Sequence, residues 1–378
     1  MSVWDDVVGQ DSAIETLRGA IEDPSAMTHA WLLTGPPGSG RSNAARAFAA
    51  ALQCERGGCG ECHACTTTLA GTHADLTVVA TEKVTIAIDE VRSLIGLASR
   101  TPSQGRWRVI LVEDADRMAE RTTNVLLKAI EEPPPRTVWL LCAPSPQDVM
   151  VTIRSRCRGV SLRVPPVEAV AALLESRDGI APQVAIAAAR AAQSHIGLAR
   201  RLARDAGARD RRTSVLAIAR SIRGVPDAVI AAGELVEVSQ AEAKAATEER
   251  DGNEKAALLR ALGADSGQGL APALRSQVKQ LEDDQKRRAT RRQRDVLDRA
   301  MIDLLSLYRD VLVVQLGATV DLVNVELAET VQSLAEESTA EQTVRRMDAI
   351  GVARTRLAGN VSPVLALEAM AIALRPQG

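Results

Sequence analysis

Residues 29–52 read "HAWLLTGPPGSGRSNAARAFAAAL", and this stretch decides the fold. A short apolar run enters a glycine loop, and an alanine-rich helical pattern leaves it. A strand, a glycine loop and a helix start in that order aim backbone N–H groups and the positive end of a helix at one point. That is the geometry a phosphate group needs. The loop "GPPGSGRS" (35–42) follows the pattern G-x-x-x-x-G-K-[ST] except at Arg41, which stands where the pattern has lysine. Gly35, Gly38 and Gly40 supply the backbone freedom, and Ser42 is the expected Mg²⁺ ligand. Arginine keeps the positive charge, but its planar fork is larger than a compact ammonium. The competing reading is a glycine turn with no ligand.

Working outward, short apolar runs alternate with helical patterns up to residue 165. Strands are expected at 29–35, 74–80, 106–114, 136–143 and 158–164, with helices at 42–52, 86–99 and 121–134. Alternation of this kind predicts a parallel three-layered α/β sheet. After "PPVEAVAALLE" (165–175) the strand signal stops. Short helices are expected over 166–208 and longer ones over 209–378. The segment near 237–269, with "ERDGNE" and "GADSGQG" as breakers, reads as a mobile connection carrying one or two helical turns. A long helix without internal proline or glycine is expected at roughly 273–316.

Bulk properties are those of an ordinary globular chain of 378 residues: 25% charged, 46% hydrophobic and a net charge of −2. That charge gives no global electrostatic case for nucleic acid. The acidic, polar start and the lack of an apolar run of ~18 residues lead us to expect a cytoplasmic protein.

Four of the six cysteines crowd into "CERGGCGECHAC" as Cys54, Cys59, Cys62 and Cys65. Four thiolates on a compact glycine-containing loop suit tetrahedral Zn²⁺ with no open position, which is a structural rather than a catalytic site. Unmetallated buried cysteines are the alternative. Cys142 and Cys157 read as packing residues.

Hydrolysis at a phosphate loop needs an acidic pair at a neighbouring strand end, one acid organising Mg²⁺ and the next polarising water. "VILVEDADRM" offers Glu113 and Asp114, in inverted order for that task. Asp114 would act as base with a side chain one methylene short, and a displaced base is costly. "TIRSRC" (152–157) and the following residue place Arg154, Arg156 and Arg158 at a strand start just after a loop. "KRRATRRQR" (286–294) reads as a solvated helix face with charge pairs, against a competing reading as a DNA-facing patch.

"VVGQ", "HAWLLTGPPGSGRS", the cysteine cluster, "NVLLKAIEEPP" and "TIRSRC" occur in this order, and together they resemble the bacterial clamp-loader AAA+ subunits. The specific motifs cover about 1–165, and "GNVSPVLALEAMAIAL" (359–374) resembles the last helix of the family. The resemblance implies an α/β AAA+ (P-loop NTPase-like) domain over 1–165 with a Cys₄ zinc module at 54–65. A small helical lid over 166–208 and an all-helical collar over 209–378 would follow.

Motor members of the family have the loop lysine, an Asp-Glu pair and hydroxyl residues where Ala143-Pro144 stand here. Gly197 lies near the position of their lid arginine, with Arg200 and Arg201 close by. The resemblance is therefore to an arginine-donating member without ATPase activity of its own. Arg156 would act in trans on ATP held by a gamma/tau subunit. The implied partners are gamma/tau, delta, a sliding clamp and primer–template DNA, in a hetero-pentamer. The alternatives are a self-sufficient gamma/tau-type motor or other AAA+ remodeller, and a zinc-dependent DNA-binding module with a vestigial nucleotide fold.

Overall fold

The computed structural model describes residues 2–80, 85–261, 272–359 and 361–376. The chain divides into two compact units, Met1–Asp205 and Ala206–Gly378.

The first unit is built on five parallel strands: β1 (Ala30–Thr34), β2 (Leu76–Val79), β3 (Arg108–Val112), β4 (Thr137–Ala143) and β5 (Arg158–Ser161). Their order across the sheet is β2-β3-β4-β1-β5. The strand that feeds the glycine loop thus has β4 on one side and β5 on the other, with Trp31 opposite both Leu140 and Arg158. Helices α1 (Asp11–Glu22), α2 (Arg41–Gln53), α3 (His63–Leu69), α4 (Ile88–Ala98), α5 (Glu120–Glu131) and α6 (Val151–Arg154) connect or flank the strands.

Strand side chains alternate between faces, so each central strand feeds two cores. Trp31, Leu33, Val109, Leu111, Val138 and Leu140 pack with Phe48 and the alanines of α2. Leu32, Ile110, Trp139 and Leu141 pack on the other side with Leu94 of α4 and Leu126 and Ile130 of α5. The alanines of α2 are fully buried, which lets that helix lie close to the sheet and hold the loop in front of it. Helices α7 (Val167–Asp178), α8 (Pro182–Ala191) and α9 (Ile196–Arg204) complete the unit.

The second unit is helical: α10 (Ala206–Ser221), α11 (Val225–Ala261), α12 (Pro272–Gln315), α13 (Ala328–Glu336), α14 (Ala340–Ala358) and α15 (Pro363–Leu374). Its core centres on Tyr308, Leu304, Leu307 and Val311 of α12, packed by Ile350 of α14 and Leu367 of α15. A buried polar network lies within it. Arg212 donates to Asp303 at 3.2 Å and also to Asn324, while Asn324 donates to Asp310 at 2.8 Å.

Two expectations need correction. The connection expected near 237–269 is helix as far as Ala261, and "GADSGQG" lies outside the described residues. Tertiary pairing explains the helix: Arg288 of α12 binds Asp251 at 2.7 Å and also Glu254, and Gln285 donates to the Asp251 carbonyl at 2.9 Å. These cross-helix contacts offset the ~1 kcal/mol that one interior glycine, Gly252, costs. The second correction concerns the segment before Arg158, which is not a plain loop, because α6 occupies Val151–Arg154.

Candidate functional site

The glycine loop has the backbone its sequence requires. Gly38 and Gly40 both have φ +87°, and Gly40 is the N-cap of α2. A Cβ on Gly35 would stand 2.6 Å from the Leu162 carbonyl, so glycine is needed there for space. Gln10, the last residue of "VVGQ", clamps the loop to the end of β5. Its amide donates to Ser39 O at 3.1 Å and Arg163 O at 2.7 Å, and accepts from Arg163 N–H at 3.0 Å. The sequence motif alone gives this side chain no role.

Pro37, Gly40 and Ser42 line a cavity of about 450 Å³ together with Arg177, His195 and Arg200. His195 follows a turn in which Gln193 and Ser194 both adopt left-handed φ, and its Cα would lie 2.7 Å from a Cβ on Gly38. Arg177 and Arg200 converge with Arg204 on the buried Asp178 carboxylate, at 3.3, 3.0 and 2.9 Å respectively. Burial works against ionisation of Asp178, but these guanidiniums hold its carboxyl below the usual carboxylate range. Gly197 and Arg200, noted in the sequence, do reach the cavity. His195 and Arg177 were missed, and only the helix start at "SHIGLARR" signals the first of them.

The charged residues expected to act on phosphate already have protein partners. Arg41 donates to the Gly35 carbonyl at the start of its own loop. Glu113, at the end of β3, is gripped by Arg46 of α2 at 2.9 and 2.8 Å, and Asp114 lies 3.6 Å from Arg117. Neither Glu113 nor Asp114 is among the residues lining the cavity. Ala143 is buried at the end of β4 and offers no polar group there.

The cysteine sulfurs of residues 54, 59, 62 and 65 all lie within 4.8 Å of one another. Two of the separations, Cys54–Cys59 and Cys54–Cys62, are 3.7 Å. A tetrahedron with ~2.3 Å metal–sulfur bonds has edges of about 3.8 Å, so the donor set fits a metal ion of zinc's size. Gly57, Gly58 and Gly60 take positive φ around it. The Cys59 thiol is pulled down to about 6 by the backbone N–H groups of Glu61 and Cys62. Thiolate character of that kind suits a metal ligand. Cys142, in the core, and Cys157, half-buried against it, are pushed up to about 12 by burial.

Around "TIRSRC", Arg154 donates to Pro146 O at 3.2 Å, and Arg158 donates to Ala26 O at 2.6 Å and lies 5.1 Å over the Trp31 ring. Arg156 projects outward and pairs with Glu131 at 2.5 Å. In the basic run, Arg287 pairs with Asp284 at 3.6 Å, Arg291 with Asp295 at 3.9 Å and Arg288 across to α11, which favours the charge-paired helix over a DNA-facing patch.

A parallel sheet with a glycine loop between the inner strand β1 and a buried helix defines the class, an α/β fold of the P-loop kind. Residues 9–166 match the family described as "DNA polymerase III, delta subunit". Over 135 residues the chain is 43% identical to DNA polymerase III subunit delta' of Pseudomonas aeruginosa, covering 34% of this chain and 41% of that protein. It is 33% identical over 174 residues to the gamma/tau subunit of Mycobacterium tuberculosis, covering 45% of this chain and 30% of that protein. The match thus spans under half the length of these relatives. A Thermotoga maritima protein related to the gamma subunit is similar over 96% of this chain and 98% of its own, at 16% identity and a TM-score of 0.42. Over residues 9–166 the chain thus resembles subunits of the DNA polymerase III clamp loader, and its particular resemblance is to the delta-prime member. No helix among the described residues is long and apolar enough to cross a membrane.

Proposed function

We propose that the chain is a cytoplasmic clamp-loader subunit of the delta-prime type. It does not hydrolyse ATP itself and lends Arg156 in trans to ATP and Mg²⁺ held by a neighbouring gamma/tau subunit. There the guanidinium senses the γ-phosphate and stabilises charge that develops during transfer. Loading of a sliding clamp onto primer–template DNA by the assembled hetero-pentamer, with delta as a further partner, follows from that role.

One contrast carries the reading. The residues that would hydrolyse ATP here are tied up in part-buried contacts, Arg41 on Gly35 and Glu113 on Arg46, whereas Arg156 makes its ion pair at the exposed surface. The gamma/tau relatives favour a second reading, a motor subunit, and the Arg41 and Glu113 contacts oppose it. The deciding experiment is ATPase of the reconstituted loader with wild-type chain or Arg156→Ala. Wild-type turnover by the mutant complex would refute the role given to Arg156.

In this proposal residues 166–208 act as the lid and 209–378 as the collar. Cys54, Cys59, Cys62 and Cys65 hold a structural zinc that pins the loop between α2 and α3. Intact-mass analysis under native conditions should find one zinc, and Cys62→Ser should abolish it. A metal-free protein with an unchanged melting temperature would refute the zinc assignment.

A further inference from the structure

Arg156 is not idle in this chain. Its Nε donates to Glu131 Oε1 at 2.5 Å and its Nη1 to the Thr152 carbonyl at 2.7 Å, with the Ser155 hydroxyl at 3.3 Å. Glu131 is the last residue of α5, which stops before the prolines at 133–135. A carboxylate at the carbonyl end of a helix is unfavourably placed, and a guanidinium beside it relieves that repulsion. Both side chains are solvent-exposed, at 39% and 43%, so a molecule arriving from outside can reach the pair. The flanking Arg154 and Arg158 differ, because they donate to the backbone carbonyls of Pro146 and Ala26, which bring no net negative charge.

We propose that Glu131 is the resting partner of Arg156, a carboxylate in the same chain that holds the guanidinium until a phosphate on the neighbouring subunit displaces it. This rests on the reading of Arg156 as a trans-acting finger. Nε faces the carboxylate and Nη1 the Thr152 carbonyl, so a phosphate seeking a two-point contact must take over one of these donors. It also meets the repulsion of the carboxylate. Glu131 is thus a positioning residue that sets how much nucleotide is needed before the interface engages. The exchange involves no bond-making, only replacement of one anion by another around a fixed cation. Exposed pairs of this kind are weak, so the threshold is modest and reversible.

The test is ATPase against ATP concentration in a loader reconstituted with gamma/tau, delta, clamp and primed DNA. Four forms of this chain are compared: wild type, Glu131→Gln, Arg156→Ala and the double variant. Glu131→Gln is expected to lower the half-saturating ATP concentration about two- to fivefold, with a smaller change in maximal rate. The double variant should match Arg156→Ala. An unchanged or raised half-saturating concentration would overturn the proposal, as would an equal shift in the Arg156→Ala background. Both results leave the finger intact if Arg156→Ala alone sharply lowers, without abolishing, the turnover of the loader. Wild-type turnover by Arg156→Ala would instead overturn the finger and the proposal together. Thermal melting of Glu131→Gln, expected to be unchanged for an exposed side chain, separates these outcomes from misfolding.

Discussion

Three arginine–carboxylate pairs, at the β2–β3 end of the sheet, between α2 and the end of β3, and between the "TIRSRC" segment and α5, differ in burial. Asp75 with Arg108 is 0% and 7% exposed, Glu113 with Arg46 is 17% and 28%, and Glu131 with Arg156 is 43% and 39%. A buried pair cannot trade partners without leaving a desolvated charge behind, whereas an exposed pair exchanges freely with water and ions. The series therefore separates arginines that hold the fold from one that is available to another molecule. Between α2 and the end of β3, the same chemistry that could serve a nucleotide has been turned inward.

The sharpest way to break the comparison is Arg156→Ala. At the ATP site this residue would serve, clamp- and DNA-stimulated turnover should fall on the order of 10³-fold. Melting of the isolated chain should move little.

At the buried end, Asp75 accepts N–H groups from Ser103, Gln104 and Gly105 at 2.8, 2.7 and 2.6 Å. Burial alone would raise its pKa, yet these donors hold it at about 2. A carboxyl depressed in the folded state stabilises above its unfolded pKa of ~3.9, and that contribution is lost as pH falls from there through about 2. About 2 kcal/mol should disappear over that window in wild type and be missing at neutral pH in Asp75→Asn, as read by urea melts at each pH.

For the intermediate pair, Arg46→Ala leaves Glu113 half-buried without its partner and should cost about 1–3 kcal/mol. Glu131→Ala should cost less than about 1 kcal/mol. Equal costs in denaturant melts would dissolve the distinction drawn here.

The smallest effect is expected for Arg41→Lys. The loop then matches the full pattern, but Glu113 remains on Arg46, so isolated protein should still show no turnover above background in a phosphate-release assay.

Much of the first unit was legible because its signals are local. Strand runs, proline stops and the glycine pattern of the loop depend on neighbours a few residues apart. The C-x₄-C-x₂-C-x₂-C spacing is equally local, since all four cysteines fall within twelve residues. The helix through "ERDGNE" was not legible, because its support comes from Arg288 and Gln285 on another helix. Gln10, His195 and Glu131 were missed for the same reason: each acts on a residue more than twenty positions away.

The amino-acid sequence by itself determined the α/β class, the phosphate-loop backbone, the cysteine cluster and which arginines are present. Those properties follow from periodicity and residue chemistry over short spans. Only the tertiary structure decided which of those arginines are already spent. Whether a guanidinium is committed depends on the carboxylate that folding brings beside it, and on how much water is left around the pair.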